Sequence, residues 1–196
     1  MEKKVKYNCL QSLREAGAPV IIVAAVPESE AIANACRDAG IDVSAFCDSK
    51  KGKSQNLFCG LEVIHTPTMP ERFPKARIII ATQQIIDVVE QLSALGYNEF
   101  YSALQLLENY DVRKHQHLIS QPYMETRISV YKKSHAVYFD EEKTYMRSVD
   151  VMITTKCSLK CVSCSNLMQY YVDAKNTDHE KILAAIEIIN ENVDYI

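Results

Sequence analysis

The stretch PVIIVAAV, residues 19–26, decides the fold. It is a short unbroken apolar run, the pattern of a strand covered on both faces in a parallel sheet. Pro27, Glu28, Ser29 and Glu30 follow, a proline and acids suited to the first turn of a helix. Ile32, Ala35, Cys36 and Ala39 then recur at helical spacing, and Gly40 ends the helix. Working outward, IDVSAFCD (residues 41–48) reads as a second strand, LEVI (61–64) as a short one, and ARIIIA (76–81) as another buried strand. Gln84 to Leu95 is an apolar-faced helix stopped by Gly96, and Asn98 to Ser102 a weaker last strand. Strands alternating with helices predict a parallel sheet with right-handed crossovers.

The expected fold class is therefore α/β, with a Rossmann-like parallel sheet over residues 1–110. Residues 111–147 break the rhythm: they are polar, Tyr-rich and of mixed charge, with Pro122 placed for a helix's first turn. They read as a connecting segment with one helix, around Tyr123 to Lys133. Strand chemistry returns in the part that spans residues 148–196. VDVMITT, residues 149–155, puts Val149, Val151 and Ile153 on one face. Thr177 and Glu180 form a capping-box pair ahead of a helix whose buried face is Ile182, Ile186, Ile189 and Val193. Val193 to Ile196 reads as the entry to another strand.

Nearly half of the 196 residues are apolar, ample for a packed core, and the net charge of −3 gives no electrostatic footprint for nucleic acid or an anionic membrane. No apolar run reaches the length of a bilayer span, and the Met1-Glu2-Lys3-Lys4 start leads into polar sequence, so a cytoplasmic protein is expected. Seven cysteines, an odd count without a secretory signal, argue against a disulfide framework. Cys9, Cys36, Cys47 and Cys59 are scattered among apolar neighbours and read as small buried hydrophobes. The other three are crowded into eight residues.

Cys157-Ser158-Leu159-Lys160-Cys161-Val162-Ser163-Cys164 is a CxxxCxxC run. Three thiolates in a tight loop can each ligate one iron of a cubane cluster, which leaves the fourth iron without a protein ligand. An open coordination position is what a catalytic metal needs. In this spacing, and in its place after a strand, the run resembles the radical S-adenosylmethionine (SAM) superfamily. The resemblance implies a partial TIM-type barrel, of which residues 148–196 are the first β/α unit. It implies a 4Fe-4S cluster held by Cys157, Cys161 and Cys164, with SAM on the free iron, cleaved reductively to start hydrogen abstraction. An electron donor such as flavodoxin or ferredoxin is implied as a partner. ITTKCSLKCVSCSNLMQYY is also similar to radical SAM proteins found alongside polysaccharide and cell-surface sugar pathways, which implies a small-molecule substrate that is a sugar or nucleotide sugar. Ser163 stands where many members carry an aromatic residue near adenine, so adenine contacts are not carried over. The family's Gly-Gly-Glu segment is absent, so this chain is expected to be truncated early in the barrel and inactive alone, its full-length parent being the enzyme.

Two other readings compete. A structural zinc site needs a fourth ligand, and His179 or Cys59 would have to be recruited by the fold. The chain would then be a non-catalytic nucleotide-sugar-binding or scaffold module. Three core cysteines are disfavoured by the Ser, Lys and Ser between them. The N-terminal region resembles modules of sugar-modifying acyltransferases, which often bind a nucleotide sugar. Yet its first turn, Ala25 to Ser29, has no glycine, and Glu28 would repel a pyrophosphate. Asp48 sits where a ribose-binding acid is expected, with structural use the favoured reading. His115 and His117 read as solvated surface, and Lys50, Lys51 and Lys53 as a solvated basic loop. Tyr170 and Tyr171 either wall a SAM pocket or, as favoured, pack in a core. No Ser-His-Asp set or catalytic carboxylate pair can be assembled.

Overall fold

The computed structural model describes residues 4–15, 17–53, 57–159 and 161–195. The chain divides into two compact units between Lys143 and Thr144.

The first unit runs β1 (Val5–Lys6), α1 (Leu10–Arg14), β2 (Val20–Val23), α2 (Pro27–Asp38), β3 (Val43–Cys47), β4 (Leu57–Phe58) and β5 (Leu61–Ile64). It continues with α3 (Met69–Arg72), β6 (Arg77–Ile80), α4 (Ile85–Ala94), β7 (Phe100–Ser102), α5 (Leu104–Leu107) and α6 (Gln121–Phe139). The seven strands form one sheet in the order β1-β7-β6-β2-β3-β5-β4. Every neighbouring pair is parallel except β4 with β5. The chain winds outward from β2 through β3 to β5, then returns to β2's other side for β6 and β7, consistent with the Rossmann-like layout. The point where the winding reverses lies between β2 and β6, paired from Val20↔Arg77 to Val23↔Ile80.

All four residues of β2 and of β6 are buried. Alternation along a strand sends successive side chains to opposite faces, and two apolar cores follow from it. Val20, Ile22 and Ile79 join α2, α5 and α6 on one face, through Ile32, Leu107, Met124 and Ile128. Ile21, Ile78 and Ile80 join α3 and α4 on the other, through Met69, Ile85, Val89 and Leu92. The unbroken apolar spelling of residues 19–26 is the direct consequence of both faces being covered.

The ends of this unit meet at one sheet edge. β1 pairs with β7, Val5↔Phe100 and Lys6↔Tyr101. The Val5 N–H donates to the Tyr138 hydroxyl at 3.4 Å, and the Tyr7 and Phe139 rings meet edge to face, 5.5 Å between centroids.

At the opposite edge β4 and β5 form a hairpin whose two-residue turn is Cys59 and Gly60, both left-handed, at φ 48° and 78°. Such a turn favours Asn-Gly, because a β-carbon strains this conformation and asparagine tolerates it best. Cys59→Asn is expected to raise the urea midpoint, by roughly 0.5–1 kcal/mol of stability. A fall would mean that the half-buried thiol's packing outweighs the turn.

The second unit holds β8 (Met146–Ser148), α7 (His179–Ile189) and β9 (Val193–Tyr195). β8 and β9 pair in parallel, Met146↔Val193 and Ser148↔Tyr195, so the unit is one βαβ crossover. Strand β8 stands earlier than the expected 149–155, at Met146–Ser148. Residues 152–155 instead pair across the chain with residues 175–177. Asp178, not Thr177, caps α7, accepting from the Glu180 N–H at 3.0 Å. Ile182, Ile186 and Ile189 are half-buried rather than buried, and Val193 is buried on β9. Ile196, the expected continuation, lies outside the described residues. Among the described residues no helix is long and apolar enough to cross a membrane.

Candidate functional site

Two places could carry function: the carboxyl edge of the seven-stranded sheet, and the cysteine loop. In open α/β sheets a ligand sits outside the carboxyl ends of the strands, where the winding reverses. Here the chain fills that place itself.

The turn after β2 is tied down by Asp48, at the end of β3. Asp48 Oδ2 accepts from the Ala25 N–H at 3.0 Å, while Oδ1 accepts from the N–H groups of Lys50 and Lys51 at 2.8 and 2.7 Å. Partial burial works to raise its pKa, but those three donors and the Lys51 ammonium outweigh it and hold the carboxyl below its usual range. An acid so engaged is spent on the fold, as its favoured reading expected. Lys51 is not merely solvated: its ammonium donates to the Ala25 carbonyl and lies over the Phe58 ring, 5.6 Å from the centroid. Gly52 lets this loop approach, since a β-carbon there would meet the His65 backbone at 2.6 Å. The Lys53 side chain and Ser54 lie outside the described residues.

At the first turn of α2, Glu28 is buried and paired. Arg127 of α6 reaches it in a fork, Nε to Oε2 at 3.0 Å and Nη2 to Oε1 at 2.7 Å. One turn further along α6, the Tyr131 hydroxyl accepts from the Ala103 N–H at 2.8 Å and donates to the Ile80 carbonyl at 3.0 Å. A turn beyond that, His135 Nε2 lies 3.0 Å from the Thr82 carbonyl and Nδ1 3.0 Å from the Ser102 hydroxyl. A carbonyl can only accept, so Nε2 carries the proton and Nδ1 accepts from Ser102. Three side chains spaced four residues apart thus take up the polar groups at the ends of β6 and β7 and at the start of α2. Sequence reading missed all three, although the spacing of Arg127, Tyr131 and His135 is a helix-face signal in itself. What remains open beside α6 is a cleft of about 330 Å³, bounded by Gln83, Ile86, Val137 and Tyr138 among others.

His135 is fully buried, and desolvation pushes its pKa down to about 4, against the pull of the Thr82 carbonyl. The unfolded chain takes up a proton near pH 6.5 that the folded one refuses until about pH 4. Stability from this group is therefore complete above pH 6.5 and is lost as pH falls towards 4, by up to about 3 kcal/mol. Urea unfolding at pH 7.5 and 4.5 should show a shallower loss for His135→Gln than for the parent by roughly that amount.

His115 and His117 are not solvated surface. His115 Nε2 sits 2.9 Å from Asp38, its ring stacked on Tyr110, and His117 Nε2 donates to the Val112 carbonyl at 3.0 Å. Glu30 accepts the Leu118 N–H on both oxygens at 3.1 Å. Residues 110–118 are thereby fastened along α2.

The cysteine loop is closed at its base by an antiparallel clasp. The Thr155 N–H donates to the Lys175 carbonyl at 2.9 Å and the Thr177 N–H to the Ile153 carbonyl at 3.0 Å, around a Thr154↔Asn176 bridge. Thr154 and Asn176 also join through their side chains at 2.9 Å, and the Thr177 hydroxyl donates to the Met152 carbonyl at 3.1 Å. Cys157, Cys161 and Cys164 lie within the loop so closed. Cys161 is exposed, and Cys157 and Cys164 are half-buried. Lys160 lies outside the described residues.

The other four thiols belong to the first unit. Cys9, Cys36 and Cys47 are buried in the first unit, and desolvation pushes each thiol up, Cys9 and Cys47 to about 11. Half-buried Cys59 is pushed up to about 12 for the same reason. Three thiols within eight residues, one exposed and two half-buried, suit a thiophilic cluster by donor chemistry. Their side chains do not converge on one point: among the described residues no three His, Cys, Asp or Glu side chains are grouped to hold a metal ion. His179 is the first residue of α7, and Tyr170 and Tyr171 are exposed, so neither tyrosine packs in a core. No family model, no curated protein and no solved structure matches this chain.

Proposed function

We propose that the chain carries the cluster loop of a radical SAM enzyme, with Cys157, Cys161 and Cys164 each holding one iron of a 4Fe-4S cluster. The observation that carries this reading is the loop itself. Three thiols in CxxxCxxC spacing stand outside the apolar cores, between the first strand and the helix of a parallel βαβ crossover. A crossover of that kind is the repeating unit of a TIM-type barrel, whose active sites are built from the loops after its strands. Cys157, Cys161 and Cys164 would hold the cluster, which when bound would supply the electron for reductive cleavage of SAM. The clasp between residues 152–155 and 175–177 closes the base of the loop whose three thiols would hold the cluster. An electron donor of the flavodoxin or ferredoxin class serves the site, in the reducing cytoplasm that suits accessible thiols. The substrate is a sugar or nucleotide sugar of polysaccharide or cell-surface metabolism.

The first unit serves in this reading as a scaffold. Its sheet places no glycine turn at a pyrophosphate site, and α6 occupies the crevice where a nucleotide would lie. That filled crevice also favours a second reading, a non-catalytic scaffold with a structural zinc loop. Iron, sulfide and zinc analysis of chain purified and reconstituted without oxygen separates the two. About one 4Fe-4S cluster per chain is expected; one tightly held zinc without sulfide would overturn the enzyme reading.

A further inference from the structure

Cys161, Val162, Ser163 and Cys164 form a reverse turn closed by the Cys164 N–H donating to the Cys161 carbonyl at 3.2 Å. A turn closed this way keeps its first and fourth α-carbons within about 7 Å. A disulfide spans about 4.4–6.8 Å between α-carbons. The next turn begins at once, the Leu167 N–H donating to the Cys164 carbonyl at 3.1 Å, so the backbone is held on both sides of Cys164. Val162, between the two cysteines, is 93% exposed, and Cys161 is exposed as well. A small reagent can therefore reach the turn from solvent. Cys157 lies outside the turn, two residues past the Thr155 to Lys175 pairing.

We propose that Cys161 and Cys164 form a reversible disulfide when the loop is free of metal, so that the loop is a modification site for low-molecular-weight disulfides. The Cys161 thiolate attacks one sulfur of the small disulfide, which forms a mixed disulfide and expels one thiolate. The Cys164 thiolate then attacks the Cys161 sulfur and expels the second. Two protein thiols lose two electrons and two protons, and the small disulfide is reduced to two thiols. Two of the three thiols in the loop are thereby withdrawn from metal binding, which makes the crosslink a gate on the same site. The crosslink rests on the turn alone and is tested apart from the iron analysis, while its action as a gate rests on the metal-binding reading.

The test uses the full chain, stripped of metal with a chelator and exposed to oxidised glutathione. Free thiols are then alkylated, and the peptides are mapped by mass spectrometry without reduction. The expected result is a Cys161–Cys164 crosslink in about ten-fold excess over any other, since a held partner outcompetes external thiol, and its reversal by dithiothreitol. Cys157→Ser should leave the crosslink yield unchanged. Stable glutathione adducts at Cys161 and Cys164, or a crosslink mainly to Cys157, would overturn the proposal.

Discussion

Arg127→Ala is expected to lower the unfolding free energy by about 2–4 kcal/mol, read as a lower urea midpoint at pH 7. The size follows from what is left behind rather than from the contact removed. Glu28 is 2% exposed, and without the guanidinium its carboxylate stays buried with no opposite charge against it. The Arg127 side chain keeps a little solvent contact, 17%, which places the loss below that of a fully enclosed pair. Replacing both partners should restore most of the deficit, because Glu28→Gln with Arg127→Met removes the stranded charge as well as its mate. The coupling between the two sites in a double-mutant cycle is the quantity to measure. A double variant as unstable as Arg127→Ala would show that packing of the long side chain, not charge, holds α6 in the crevice.

Serine at Cys157, Cys161 or Cys164 is expected to cut iron loading after reconstitution without oxygen by at least about ten-fold, each alone. A hydroxyl is a hard and poorly ionised ligand, and under the proposed reading a cluster held by three protein ligands would have none to spare. Cys36→Ser and Cys59→Asn are the matching controls, since both thiols belong to the first unit and are expected to leave iron loading unchanged. The readouts are iron and sulfide content with the visible absorption of the cluster. Equal loading of Cys164→Ser and parent would end the assignment of that residue as a ligand.

How much of this is legible in the sequence depends on the kind of signal each element carries. Strands β2, β3, β5, β6 and β7 and helices α2 and α4 are readable because burial on one face spells out a period and burial on both an unbroken apolar run. β1 and β4, two residues each, are too short to have one, and both exist because a neighbouring strand offers an edge. Helix α6 is half legible, as 123–133 rather than Gln121–Phe139. Its buried face carries Arg127, Tyr131 and His135 beside Met124 and Ile128, so apolar periodicity is washed out where the helix does most to fill the crevice. Asp48 is placed correctly at a strand end, and its choice between ribose and backbone is settled by three N–H groups that only the fold brings near. In the second unit the alternation of residues 149–155 suggests a strand. Threonine hydroxyls and the facing residues 175–177 draw half of that segment into a clasp instead. The thiol spacing is fully legible; the geometry of the sulfurs is not, because loop conformation leaves no period in sequence.

The pairing of β1 with β7, and of Val5 and Tyr7 with Tyr138 and Phe139, gives the first unit a practical property. Its entrance and its exit are neighbours, like the two ends of a belt brought to one buckle. A bridge of a few residues could join them and new termini be opened in a surface loop, with the sheet order intact. By the same logic, cutting after Tyr110 would release the buckle and uncover the crevice together, so the smallest piece able to stand alone runs through α6.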